Sequence, residues 1–461
     1  MNLFDNISPL DYRYYGRDKD VFEKLSPYLS EEARIRYQLK AELALVRVLA
    51  KRRVCPTSVV REVEGAIAKV TAKDVYEGED RIRHDVRALA NAIRERVSDK
   101  AKPYVHFTAT SYDIVNSSVA ARFRDFTKDV LVPEMLQLEK VLIAITLREK
   151  GTLQIGRTHG QHAEPITFGF AMSEYVSRFG RSIDAVKAAG DDLRGKFSGA
   201  VGAYNASALF FSDPERFEEE VLSELGIKPA THSTQVSEPE YMADYLHSVV
   251  SAFGVLANLA DDMRHLQRSE IMEVGESFDK KQVGSSTMPH KRNPINFENV
   301  KSMWKVFMPM MGTVYMDQIS EHQRDLTNSA SARFIPELLA GFYVSVRRMR
   351  KTIEKLTVDT GSLRRNFEQN RDMIVAEPIY IILAAGNHPN AHEYVKQLTL
   401  EAQQTGERLV DLLYSDSSAK PYLEKLTKLQ KEMLSDPEKY TGIALRKAEN
   451  VCAFWKKRLR I

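Results

Sequence analysis

The sequence predicts an all-α fold: three helical domains with an elongated central helix bundle. Two apolar seams carry that expectation. Between residues 242 and 263, Met242, Leu246, Val249, Phe253, Leu256, Ala260 and Met263 fall in alternating steps of four and three, the spacing of a helix packed in a near-parallel bundle. Leu339, Phe342, Val346, Met349, Ile353 and Leu356 repeat the pattern in steps of three and four. The third observation is a scarcity: alternating β-branched runs are few, and no convincing Asn-Gly turn marks a hairpin.

The elements follow in chain order. The amino terminus, "MNLFDNISPLDYRYYG", has early acids and a proline where a signal peptide needs a basic start and an apolar run. Cys55 and Cys452 are the only cysteines, too few for a disulfide framework. Both points lead us to expect a cytoplasmic protein. The turn-rich stretch "SDKAKPYVHFTATS" ends a first helical domain, residues 1–110. A helix opening at Pro133, with Arg148 and Lys150 in its last turn, suits the helix dipole at both ends. It and the two seams fill a central bundle of long helices, residues 111–360. The charged stretch "VDTGSLRRNFEQNRD" leads into a carboxy-terminal helical domain, residues 361–461. An apolar seam left uncovered on such a bundle would pack against another copy of the chain.

Composition excludes some classes. Lys and Arg number 66 against 63 Asp and Glu, so no long-range positive field for nucleic acid is implied. The longest uncharged apolar stretch, "YLHSVVSAFGVLANLA", is too short and too polar to span a bilayer.

Chemistry-bearing residues gather in four short stretches near predicted helix ends, where free backbone N–H groups suit anions. They are "RHDVRAL" with Arg83, His84 and Asp85; "YVHFTATSYD" with His106, Thr110 and Ser111; "GRTHGQHAEP" with Thr158, His159 and His162; and "VGSSTMPHKRNP" with Ser285, Ser286, Lys291 and Asn293. Thr110 or Ser111 would equally serve as a helix cap. The two histidines of "HGQH" lack a carboxylate or thiol pattern that would complete a metal site. The last stretch is not a phosphate loop, because Pro289, His290 and Arg292 replace the residues that pattern requires. Gly284 allows close approach and movement, while Pro289 and Pro294 stiffen the cationic end. Lys291 and Asn293 are suited to donate hydrogen bonds to a carboxylate.

Taken in order, "RHDVRAL", "TATSYDIVNSS", "GRTHGQHAEPITFG" and "GSSTMPHKRNP" resemble the signatures of the fumarase/aspartase superfamily. Within it the chain is most similar to the adenylosuccinate lyase family, from "SPLDYRYYG" near the start to "AEPIYI" and "NAHEYV" near the end. The resemblance implies β-elimination of fumarate from two nucleotide substrates, without cofactor or metal. It assigns Ser285 as base, His159 as general acid and Glu298 as the carboxylate that orients His159. Thr110, Ser111, Lys291 and Asn293 would stabilise the charge that develops on a substrate carboxylate. Arg13 and Tyr14 would meet the phosphate, His84 and His106 the phosphate or a carboxylate. Arg83, Asp85, Thr158, Gln235, Ser286, Arg324, Ser329 and Arg333 would complete the binding set. The same resemblance implies a homotetramer with sites shared between subunits. An argininosuccinate lyase would keep Ser285 and Lys291 but would not need Arg13, Tyr14 and Arg333 for a phosphate. A helical protein that had lost activity is countered by the retained serine, histidine, lysine and glutamate.

Overall fold

The computed structural model describes residues 7–278, 287–288 and 290–461. The chain divides into two compact units, each assembled from three segments. Met1–Gln137, Arg181–Ala257 and Val300–Arg348 make the first, and Leu138–Gly180, Asn258–Asn299 and Met349–Ile461 the second. Every boundary between them falls inside a helix: Val132–Arg148, Phe168–Asp191, Glu240–Leu266, Ile295–Phe307 or Ile335–Glu354.

Both predicted seams are helices. In Glu240–Leu266 six of the seven seam residues are buried, Met242 being the half-buried one. Burial reaches beyond the seam to Ala243, Tyr245, Val250, Ala252 and Leu259, leaving Glu240, Asp244, His247, Ser251 and His265 as the exposed positions. Neighbours therefore surround this helix on most sides. The seam of Ile335–Glu354 is buried throughout, and within the first unit the Phe253 and Phe342 rings lie 5.3 Å apart at a tilted angle. Gly341 allows that helix to close on its neighbour, since a Cβ there would sit 2.2 Å from the Phe307 ring. Pro133 occupies the first turn of Val132–Arg148, as its fixed φ favours.

The first unit also packs Glu31–Lys51 and Ser111–Phe126 around Leu39, Leu45, Leu49, Ile114 and Phe123. Ser30 caps the former by accepting the Ala33 N–H at 3.1 Å. The second unit has a separate carboxy-terminal core of Ile379, Leu383, Val395, Leu398, Leu409, Leu413 and Leu434. Among the described residues no helix is long and apolar enough to cross a membrane.

Helix dominates, as expected, but one hairpin was not legible in the sequence. Leu153–Thr158 pairs antiparallel with Gln161–Thr167, and a two-residue loop joins them. The loop is His159-Gly160, with φ of +53° and +76°. Positive φ at both positions is the type I′ pattern, with histidine where asparagine is usual.

Candidate functional site

In the first unit the site is built around the start of the Ser111–Phe126 helix. Asp113 accepts the Thr110 N–H at 2.8 Å, closing the cap, and the Gly199 N–H at 3.2 Å. It also receives the ammonium of Lys196; both side chains are fully buried. Lys196 donates in addition to the Gly199 carbonyl at 2.9 Å. Burial pushes the Asp113 carboxyl up, opposed by Lys196 and the two amides. The pair staples the loop beginning at Ser198 to the helix start. Gly202 (φ +80°) has no room for a side chain, because a Cβ would fall 1.9 Å from the Ser233 carbonyl oxygen.

Two further segments join this cluster. The Ser198 and Ser233 hydroxyls are 2.6 Å apart, Asn116 accepts the Ser237 N–H at 3.4 Å, and the Gln235 N–H reaches the Gln323 carbonyl at 3.4 Å. Arg324 donates to the Tyr112 hydroxyl and to Asn328, each at 2.7 Å, with its guanidinium over the Tyr112 ring. Thr110, Ser111, Gln235 and Arg324, far apart in sequence, are thus brought together. Arg324 Nε and Gln323 Oε1 are buried there with no hydrogen-bond partner, polar groups left for something else to satisfy.

His106 adopts a left-handed backbone (φ +64°), with its ring Nδ1 2.7 Å from a Glu42 carboxylate oxygen and its N–H donating to the other at 3.0 Å. Glu42 is fully buried. Burial, the largest influence, works against the imidazolium, but the Glu42 charge and hydrogen bond together with the Asp113 charge outweigh it and raise the His106 pKa above its usual value. His84 caps the Asp85–Arg94 helix, its Nδ1 accepting the Arg87 N–H at 3.3 Å. Arg83 ends the preceding helix in a left-handed conformation. Arg13, Arg83, His84, Ser329 and Arg333 are exposed, whereas Tyr14 and Asp85 are half-buried.

In the second unit the hairpin presents Thr158 and His159 at its exposed tip. Beneath it Arg157 makes a two-pronged ion pair with the fully buried Glu273, at 2.6 and 3.2 Å. His162 meets Asn370 at 3.1 Å; burial first, and Arg157 second, lower its pKa. Lys291 is exposed, and its N–H donates to the Met288 carbonyl at 3.0 Å. The Asn293 carbonyl accepts the Ile295 N–H at 2.9 Å. Glu298 is exposed on the first turn of Ile295–Phe307 and forms no hydrogen bond with His159 within the single chain. Gly284, Ser285, Ser286 and Pro289 lie outside the described residues.

Sequence reasoning did not single out Glu42, Lys196, Tyr112 or Glu273. The glycine-rich "SGAVGAYN" was the available signal for the Lys196 loop. Glu42 and Glu273 stand in ordinary helical or charged text.

By fold, the chain resembles a 3-carboxy-cis,cis-muconate lactonizing enzyme from Pseudomonas putida, with a TM-score of 0.81 and 22% identity over 98% of this chain and 99% of that one. A fumarate lyase from Mesorhizobium gives 0.80 and 20%, over 94% and 97%. Residues 13–308 match the family model described as Lyase, which together with the helical fold defines a lyase. Residues 320–435 match the adenylosuccinate lyase C-terminal model. Adenylosuccinate lyases of Archaeoglobus fulgidus and Pyrococcus abyssi are 33% and 34% identical, over 96% of this chain and 98% and 97% of theirs. That of Bacillus subtilis is 30% identical over 82% of this chain and 87% of its own. The chain belongs to the adenylosuccinate lyase family of the fumarase/aspartase superfamily.

Proposed function

We propose that the chain releases fumarate by β-elimination from adenylosuccinate, leaving AMP, and from SAICAR, leaving AICAR, in cytoplasmic purine biosynthesis. Near full-length similarity to adenylosuccinate lyases is the observation that carries this reading.

The reaction sets the demands on the site. A base must take a weakly acidic proton beside a carboxylate, which becomes a dianionic aci-form as the proton leaves. Ser285 is the base. Fixed donors at the developing charge lower the barrier most, the task of Lys291, Asn293, Thr110 and Ser111. The departing purine nitrogen needs a proton from the opposite face; His159 supplies it, oriented by Glu298. Arg13, Tyr14, Arg83, His84, Asp85, Thr158, Gln235, Ser286, Arg324, Ser329 and Arg333 bind the rest of the polyanionic substrate. The unmet Arg324 N–H favours an anion at the first unit's cluster.

The working assembly is a homotetramer with sites shared between subunits, and the division at residues 110 and 360 marks its functional segments. Exposed Val306, Met316, Ile319, Leu326 and Phe334 supply apolar surface for burial against other copies. Light scattering should report four chains. The decisive assay follows ultraviolet absorbance on adenylosuccinate and SAICAR, with argininosuccinate as control. Turnover of the first two and not the third is expected; turnover of argininosuccinate with none of adenylosuccinate or SAICAR would overturn the reading.

A further inference from the structure

A buried carboxylate anchors the strand that leads to His159. Glu273 is fully buried, yet its oxygens accept from Arg157 at 2.6 and 3.2 Å, from Gln154 Nε2 at 2.8 Å and from Asn366 Nδ2 at 2.9 Å. Two of these donors, Gln154 and Arg157, lie on the strand that runs directly into the His159-Gly160 turn. Its main-chain carbonyl also accepts the Asp359 N–H at 2.9 Å, fixing the backbone at that point.

Three residues on, Glu276 does a similar job for the other motif. Its carboxylate accepts the Asn296 N–H at 2.9 Å, the Asn296 side chain at 2.7 Å and the Phe297 N–H at 2.9 Å. Its own N–H donates to Gln267, which also reaches the Arg292 carbonyl at 3.2 Å. The short segment 273–276 therefore grips the hairpin at one end and, at the other, the helix start that follows Lys291 and Asn293. Buried carboxylates are costly unless their lone pairs are used, and apart from Asn366 the donors named here lie on the hairpin or at the helix start.

We infer that Glu273 is a positioning residue for the elimination reaction, acting through Arg157 to fix the place from which the His159 imidazole delivers its proton. The inference rests on the proposed role of His159. A loose hairpin would displace the acid by a fraction of its length, and misplacement of about 1 Å costs on the order of 10²-fold in rate.

Kinetics of wild type, Glu273→Gln, His159→Ala and the double variant test this. Glu273→Gln should lower kcat by on the order of 10²-fold with KM changed less than about threefold. The conservative Glu273→Asp should recover part of the loss. On a His159→Ala background, Glu273→Gln should cost nothing further, because both act on the same proton transfer. Asn366→Ala, which removes one donor and leaves the ion pair, should fold and show a smaller fall in kcat if Glu273→Gln proves unstable. A folded Glu273→Gln with wild-type kcat, or losses that multiply in the double variant, would overturn the inference. Inactive wild type, or His159→Ala at wild-type rate, would instead overturn the proposed function.

Discussion

Lys196 meets Asp113 inside the first unit, where neither side chain touches solvent, 83 residues apart in the chain. Breaking such a pair strands a charge in the interior. Lys196→Met should lower unfolding free energy by about 3–5 kcal/mol in urea titrations, and Asp113→Ala by a similar amount. Replacing both with apolar residues should cost well under the sum, since the stranded charge is then gone. Additive losses would show that the two do not act as a pair.

His106 provides a test with a definite sign. Its folded pKa is raised by Glu42, so the pairing contributes most below the unfolded value of about 6.5 and fades as pH rises through the folded value. Glu42→Gln should bring the His106 titration downward, as read by ring proton shifts. The stability gap between wild type and Glu42→Gln should narrow from pH 6 towards pH 9.

Glu139 runs the other way. It is fully buried, and neither carboxyl oxygen has a hydrogen-bond partner. Burial pushes its pKa up to about 9. The folded state keeps this proton while the unfolded chain releases it near pH 4.5, so the residue costs stability increasingly from there to pH 9. Glu139→Gln should raise Tm at pH 8, with the advantage shrinking towards pH 5. Equal Tm values at pH 8 would contradict the assignment.

The chemical roles are tested most directly by Ser285→Ala and His159→Ala. Each should reduce kcat by at least about 10²–10⁴-fold while the circular dichroism and assembly state remain those of wild type. Near-wild-type turnover in either would remove that residue from its role.

What could be read without coordinates was what repeats locally. The seams of Glu240–Leu266 and Ile335–Glu354 show because helix packing imposes a period on neighbouring residues. The burial of Tyr245 and Leu259 beyond the seam did not, since the number of neighbours around a helix leaves no period of its own. The His159 hairpin escaped notice because a His-Gly turn lacks the usual asparagine, and "LQIGRT" has little alternation. Glu42, Lys196 and Glu273 reach partners 64, 83 and 116 positions away, and no local pattern joins such residues. Motif resemblance found Thr110, Gln235 and Arg324, but the contacts around Tyr112 and Gln323 had to be seen.

The left-handed backbone at His159 narrows which side chains suit that place. Valine and isoleucine are strongly disfavoured there by sterics, and neither is among the positive-φ residues of the described chain, while glycine, asparagine and aspartate are welcome. Of the residues the turn accepts readily, histidine alone has an ordinary pKa near neutrality. On the proposed role of His159, an aspartate would keep the turn but start from a pKa of about 4, so changing the proton donor there would also need burial or a neighbouring charge to retune it.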